Sequence, residues 1–499
     1  MTIQGDRLGE EAIDRSRFAE AVAHLSAGPN RFAGLFPSLR ASGGVELRAV
    51  VATPGGYTSV VTELPPGDLA YPSVSVGLPA ASWYEREIHD RYGIQPKGHP
   101  RLDPLVLPLL PEDPHPALGD WHSQVSPDPR ALDAHASGEG LFTIPYGPVR
   151  SGVFEAVEYL VETFGEDIPR LRSRMYHKHR GIDWRFEDLT PDDGVLLAER
   201  VEGTASVAHA IAYCRGLEQL TGTEVPYEAE VVRLVHAELE RVANHLDSMI
   251  RHSDGSYQAV ANARLAVHKE RLLRLRATLC GSRFGRNVVV PGGVSGPMRR
   301  PPDEARSELL RIAGGVSDDA RAMMSTPSFL DRLRGAGVLP ADLVAAHGAV
   351  GPVARGSGLG EDVRHARPYG AYPSSGFRPT PPHDQGDALA RQQVRLAEMD
   401  ESFRLAADGL AILAGCNERE WRRGPGAAAD GTAISSVESP QGELLYVVEA
   451  DGGRLARVKP RCAAFHNFAL FPAAFRGDIL TDFVFIEASF GLSIAGVAG

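Results

Sequence analysis

Cysteine is scarce. Only Cys214, Cys280, Cys416 and Cys462 occur in 499 residues, each far from the next. That excludes CxxC-type metal, cluster and redox motifs and suggests a reducing compartment. A basic excess is also missing: 52 Lys and Arg stand against 64 Asp and Glu, for a net charge of −12. A nucleic-acid protein should show a basic excess or stripe instead, so no nucleic-acid partner is expected. Long hydrophobic runs are lacking too. The most apolar long window, residues 478–499, is broken by Asp478, Asp482 and Glu487, whereas a spanning helix needs about 20 mostly apolar residues. The N-terminal stretch carries acids where a secretory signal would carry a basic run and an apolar core, which predicts a cytoplasmic chain whose membrane association comes through partners. What remains, 43% apolar and 23% charged residues, is the composition of a folded protein of two to four domains.

Residues 45–80 alternate apolar and polar positions between Pro and Gly punctuation, the pattern of short strands in a small α/β module. Nine prolines fall in the 45 residues from Pro104 to Pro148, a density that forbids long helices and marks a boundary. Beyond it the spacing turns helical. In Pro226 to Met249, Val231, Val235, Leu239, Val242, Leu246 and Met249 recur every three or four residues behind a Pro and first-turn acids, predicting a buried amphipathic helix. Ser307–Ala313, Pro340–His347 and Leu389–Leu413 share that character, and Gly442 to Pro460 reads as a hairpin turning at Asp451-Gly452-Gly453. The predicted fold class is α+β: a small N-terminal α/β domain over residues 1–125, a Pro-rich linker over 126–146, and a large, mostly helical domain with a small β insert over 147–499.

The block WYEREIHDRYGIQPKGHPRLDP (residues 83–104) resembles the signature of the 30-kilodalton, or C, subunit of complex I. Its mixed charges on aromatic and Gly-Pro turns suit a docking surface better than a catalytic pocket, because no nucleophile-base pair is visible. From about Gly147 onward the chain is similar to the 49-kilodalton, or D, subunit of complex I and to the large subunits of group 4 nickel-iron hydrogenases. The similarity runs through HRGIDW (179–184), RVEGTASVAHAIAY (200–213), GPVARGSG (351–358), VESPQGELLYVVEADGG (437–453), RVKPRCAAFHNFALFP (457–472) and the terminal IEASFGLSIAGVAG. The fused C-then-D order resembles the formate-hydrogenlyase type.

The resemblance implies two CxxC pairs gripping nickel and iron, since soft thiolates both ligate and bridge such metals. Here the first pair aligns with Glu202 and Ala205, and the second with Ser493 and Gly496. Neither Ala nor Gly can ligate, so no nickel-iron centre is expected and no metal is assigned to this chain. The complex I alternative implies a quinone held by a Tyr and a His. The Tyr position aligns with Gly203, and the turn region Gly147–Ser151 shows Arg150 and no His. Both familiar reaction centres are therefore missing from a retained scaffold.

Candidate residues follow from these positions. Glu202 and His209, seven residues apart, would share a helix face about two turns apart and form an acid/base pair; alternatively Glu202 pairs with a buried Arg such as Arg355. Asp183 stands where the resemblance implies a proton-relaying acid. Arg355 corresponds to a cavity arginine suited to an anion or polarised head group, or to an inter-subunit ion pair. His179, Gly203 and Arg150 would line the former quinone or metal cavity. His177 and His179 diverge on a helix and lie outside zinc-ligand spacings. Asp387 and Arg391 read as a helix start with an i, i+4 salt bridge. Glu228, Glu230, His236, Glu238, Glu240 and His245 read as packing plus surface charge.

The resulting expectation is the large hydrophilic subunit of a membrane-associated, complex I-like, energy-converting hydrogenase-related oxidoreductase, peripheral on the inner face of the cell membrane. It would frame the terminal electron-accepting cavity beside a small iron-sulfur subunit, with a ferredoxin-like subunit and a membrane anchor as further partners. The iron-sulfur cluster sits on the partner, and the resemblance admits a quinone. The alternatives are an NADH-quinone oxidoreductase-type subunit with an altered quinone site, and a silent scaffold or coupling subunit.

Overall fold

The computed structural model describes residues 9–40, 42–106, 140–150, 155–416, 420–424 and 430–499. The N-terminal part is a four-stranded sheet. Gly9–Ala12 runs parallel to Gly56–Leu64, which pairs antiparallel with Val45–Thr53, and that strand pairs antiparallel with Arg31–Leu39. Helix Arg15–Leu25, capped by the Asp14 carboxylate on the Ser16 N–H at 2.9 Å, buries Phe18 and Val22 in the main core. Val45–Thr53, within the stretch whose alternation predicts short strands, is buried at all but its last residue. The second face is covered by the chain's own C-terminal sheet: Ala33, Phe36, Val50, Ala52 and Tyr57 pack with Ile434, Leu445 and Val447. The polar members of the strand satisfy one another, with Arg48 Nη2 2.7 Å from Glu46 Oε1.

Of the Pro-rich linker, residues 126–139 lie outside the described residues. Its last part, Phe142–Tyr146, is a strand that pairs with Glu158–Thr163, which pairs in turn with Arg170–Arg174. Pro145 is tolerated there because the strand is the edge of its sheet.

The large domain is built on four long helices, Tyr227–Gly255, Ala259–Cys280, Pro302–Met324 and Ala388–Gly415, packed against one another. The first opens at Pro226 and buries Val231, Val235, Leu239, Val242, Leu246 and Met249, the residues whose spacing predicts it. Beside the bundle lie helix Ser206–Thr221 and the three-stranded sheet Gly431–Ser439, Gly442–Asp451 and Arg454–Arg461. Positive φ at Gly452 and Gly453 closes the predicted hairpin. No helix among the described residues is long and apolar enough to cross a membrane.

Helix Ser82–Tyr92, from the 83–104 block, is buried on most of its surface, including Trp83, Tyr84, Glu87, Arg91 and Tyr92. The partner it docks onto is the chain's own second domain. Tyr84 OH meets His466 Nδ1 at 2.6 Å, Lys459 Nζ meets Glu87 at 2.5 Å, and Arg457 donates to Tyr92 OH at 2.6 Å. At the centre Arg91 is ion-paired with Asp183. Burial alone would push the Asp183 pKa up, but Arg91, then Lys459 and Arg457, hold the carboxyl well below its ordinary range.

Removing one member of a buried ion pair strands the other, at a cost of about 3–5 kcal/mol. Asp183→Asn should therefore destabilise the full chain by about 3 kcal/mol in urea unfolding at pH 7. The lowered pKa means this contribution is present above the ordinary carboxylate range and fades only in acid; a loss under 1 kcal/mol at pH 7 would show that the pair is not holding the two domains.

Candidate functional site

The segment Arg200–Ala205 forms a loop leading into helix Ser206–Thr221. Glu202 therefore lies outside the helix and does not share a helix face with His209, contrary to the expectation from spacing. The two meet nonetheless, because the loop folds back over the helix's first turn and sets His209 Nε2 4.0 Å from Glu202 Oε2. Both side chains are buried, while Gly203 and Thr204 between Glu202 and Ala205 stay exposed.

The other wall comes from the C-terminus. Ser493 caps helix Ile494–Ala498 by accepting from the Gly496 N–H at 3.4 Å. A Cβ placed on Gly496 would stand 1.7 Å from Glu202 Oε1. The Glu202 side chain thus occupies space that any larger residue at 496 would fill. Arg180 ties the two walls together: its guanidinium donates to Val201 O at 2.6 Å, Arg200 O at 2.9 Å and Ala495 O at 3.3 Å, and its backbone N–H donates to Gly499 O at 2.7 Å.

Two further residues, neither among the candidate site residues read from the sequence, complete the cluster. Tyr446, on strand Gly442–Asp451, places its hydroxyl 2.7 Å from His209 Nδ1. Cys462, which follows strand Arg454–Arg461, places Sγ 3.8 Å from His209 Nε2. Glu202, His209 and Cys462 are all buried, with one ligand-type atom from each within 4.8 Å of the others. Burial, then the Glu202 charge, pushes the Cys462 thiol pKa well up, and burial does the same for the Tyr446 phenol. Among the described residues no Lys or Arg lies within 4.0 Å of the Glu202 carboxylate; His209 is its ionisable basic neighbour.

The remaining candidates sit elsewhere. Asp183, read as a proton relay, lies between Arg91 and Lys459, which hold its pKa low against the effect of burial. His179 donates from Nδ1 to Ala498 O at 2.6 Å and is kept neutral by burial, then by Arg91; it fastens the C-terminus. Arg150 makes a bidentate 2.8 Å contact with Glu487 and stacks on Tyr146 and Tyr159, each ring centroid at 5.2 Å, so its charge is taken up within the fold. Gly203 offers open space and no functional group. Arg391 does not make the expected pair with Asp387. Its guanidinium donates to Ser489 Oγ and to the Gly386 and Gly337 carbonyls, while Asp387 caps its helix on the Ala390 N–H at 2.8 Å.

Arg355 pairs within the chain, and not with Glu202. Fully buried, it meets Glu398 at 2.7 Å and Glu438 at 2.9 Å. Around it Arg241, Arg364, Glu238 and Asp362 extend one ionic network. Of the central-helix residues read as packing plus surface charge, Glu238, Glu240, His236 and His245 are buried, and Glu228 and Glu230 are half-buried. Glu240 accepts the Val207 and Ala208 N–H groups at 2.8 and 2.9 Å, supporting the first turn of the helix that carries His209. Burial nevertheless lifts its pKa to about 7. Glu238 is opposite in sign: burial would raise it, but Arg241 and Arg364, with hydrogen bonds from Ser402 and Tyr372, bring it down to about 2.

A thiolate-bridged nickel-iron centre does not fit these residues: carboxylate, methyl, hydroxyl and hydrogen stand at the four expected sulfur positions, and Glu202 fills part of the space. Nor do Gly203 and Arg150 reproduce a Tyr and His pair for a quinone head group.

Comparison with known proteins agrees with the two-part organisation. The family described as the respiratory-chain NADH dehydrogenase 49 Kd subunit matches residues 261–419 and 419–498, and the 30 Kd subunit family matches residues 44–123. The membrane-bound hydrogenase subunit alpha of Pyrococcus furiosus is 30% identical over 363 residues, covering 69% of this chain and 84% of that protein. The carbon monoxide-induced hydrogenase of Rhodospirillum rubrum is 29% identical over 362 residues, covering 70% and 96%. An NADH-quinone oxidoreductase subunit of Herpetosiphon aurantiacus is 30% identical over 364 residues, covering 71% and 96%.

Two outcomes are expected. Gly496→Ala should cost about 1–3 kcal/mol through overpacking, and combining it with Glu202→Ala should recover part of that loss; strict additivity of the two in urea unfolding would refute the close fit. Glu238→Gln should cost about 3 kcal/mol at pH 7, from a pKa lowered from 4.5 to about 2. Because the native pKa is the lower one, that stability is present above pH 4.5 and lost as pH falls through about 2, so the difference between wild type and variant should shrink in acid unfolding titrations.

Proposed function

Because the chain belongs to the family that joins complex I 49-kilodalton subunits with the large subunits of membrane-bound hydrogenases, we propose that it frames the terminal electron-accepting cavity of such a complex without a nickel-iron centre. The observation that carries this reading is the carboxylate of Glu202 seated against Gly496, where the family resemblance expects bridging sulfur. Electrons would arrive from an iron-sulfur cluster on a small partner subunit, the chain itself holding none. A ferredoxin-like subunit and a membrane anchor would complete the assembly on the inner face of the membrane.

Within the cavity Glu202 and His209 form the acid/base pair. Tyr446 fixes the imidazole through Nδ1 at 2.7 Å, leaving Nε2 turned toward the carboxylate and available to hold or pass a proton. Arg180 and His179 position the C-terminal wall and do not themselves transfer protons. Arg355 acts at a distance by holding Glu398 and Glu438, and Asp183 by holding the docking domain.

The test is the native assembly purified with its neighbours. It should contain iron and sulfide but no stoichiometric nickel. Glu202→Gln and His209→Gln should each lower electron transfer out of the partner cluster by about 100-fold or more, the scale of a lost general acid or base. Unchanged turnover in both variants would favour a silent scaffold, and quinone-dependent turnover that survives them would favour a rebuilt quinone site. Stoichiometric nickel would overturn the proposal.

A further inference from the structure

We propose that Glu202, His209 and Cys462 bind a single Zn²⁺ ion through Oε, Nε2 and Sγ, a site formed by one residue of the first family motif, one of the helix behind it and one cysteine outside both motifs. Carboxylate oxygen, imidazole nitrogen and thiolate sulfur are the three donor types that zinc accepts. With metal-ligand distances of about 2.0–2.3 Å, neighbouring donors of a tetrahedral site stand roughly 3.3–3.8 Å apart. The Cys462 to His209 separation is 3.8 Å and the His209 to Glu202 separation 4.0 Å, with all three donor atoms within 4.8 Å. Closing onto a cation draws the donor atoms together, by up to about 1 Å for a pair at the 4.8 Å limit.

Three features make this a built site. The Tyr446 hydroxyl lies 2.7 Å from His209 Nδ1; with the imidazole protonated at Nδ1 the hydroxyl accepts that hydrogen bond and Nε2 is left free to ligate, the arrangement that hydrogen-bonded partners of metal-bound histidines support. All three side chains are at least 98% buried, so an ion would not compete with bulk water for its ligands. The charges also match: a Cys462 thiolate and a Glu202 carboxylate neutralise a dication, and among the described residues no Lys or Arg within 4.0 Å already does so for Glu202. The single sulfur and the nitrogen select against Mg²⁺ and Ca²⁺, which take oxygen ligands. Three protein donors leave a fourth position for water or another small ligand. Binding releases the Cys462 thiol proton to solvent.

Zinc on Nε2 and Oε takes up the atoms assigned above to proton transfer, so the metal-bound state replaces the acid/base pair; the inference does not rest on the electron-transfer reading, and its test needs no turnover. Full-length, chelator-treated chain should take up one Zn²⁺, and one Co²⁺ in its place with tetrahedral d–d bands and a sulfur-to-cobalt charge-transfer band. Cys462→Ser should abolish the charge-transfer band and weaken Zn²⁺ binding about 100-fold or more, whereas Cys416→Ser should leave both intact. If Cys462→Ser does not fold, Glu202→Gln supplies the test by weakening Co²⁺ binding and shifting the d–d bands. Failure of the wild-type chain to bind either ion stoichiometrically, or wild-type binding in the folded Cys462 and Glu202 variants, would overturn the proposal.

Discussion

The geometry of the Glu202 cluster depends on how the last residues of the chain are pinned. Arg180 reaches the Arg200 and Val201 carbonyls with one guanidinium and the Ala495 carbonyl with the same group, joining segments almost three hundred residues apart in sequence. His179 and the Arg180 backbone hold the two final carbonyls, and Glu155 accepts the Ala495 N–H at 2.9 Å. Backbone carbonyls presented to a planar five-donor cation need no counter-charge to be satisfied, which suits arginine better than lysine. Unpinned, Gly496 would drift from Glu202 and the buried carboxylate would face an open cleft, where its contact with His209 would lose the low-dielectric surroundings that give it strength.

The N-terminal domain reaches the same cavity through charge. Arg31, from the strand at the end of its sheet, ion-pairs with Glu443 at 2.5 Å, and Tyr57 donates to the same carboxylate at 2.9 Å. Arg461 binds the other oxygen of Glu443 and the Glu443 carbonyl at 2.8 Å. The residue after Arg461 is Cys462. The docking domain therefore helps set the strand end from which the thiol projects, while its Arg91 holds Asp183 in the loop that carries His179 and Arg180. Both fastenings are buried ion pairs, whose value lies in geometric specificity as much as in stability. Fusion of the two domains in one chain makes this relation obligatory.

Elements whose determinants are local were legible in the sequence. The central helix followed from apolar residues every three or four positions behind Pro226, and the hairpin from Asp451-Gly452-Gly453. Determinants distant in sequence were not. Nothing near Glu238 announces that Arg364, Tyr372 and Ser402 will bury and ionise it, so a run of acids on a helix looked like solvent-facing charge. The ion pair of Asp183 was not legible either, because Arg91 comes from the other domain. The site was half legible: Glu202 and His209 were found, for a helical reason that the loop before Ser206 overturns. Cys462 and Tyr446 were missed, since a lone cysteine and a strand tyrosine carry no spacing signal. The one available hint was that Cys462, one of only four cysteines, lies inside a stretch that follows the family closely.

Glu202 and Gly496 constrain each other, and this bears on what the cavity can become. A side chain at 496 cannot coexist with the present position of Glu202, so restoring cysteine there alone would overpack the site and would not create a ligand pair. Restoring cysteine at 202 alone would leave a void over Gly496 and remove the carboxylate facing His209. Each single reversion is costly, whereas the paired state is well packed. Oxygen rather than sulfur at position 202 sets a buried carboxylate, imidazole and thiol within 4.8 Å of one another, a donor set whose metal preference differs from that of four thiolates.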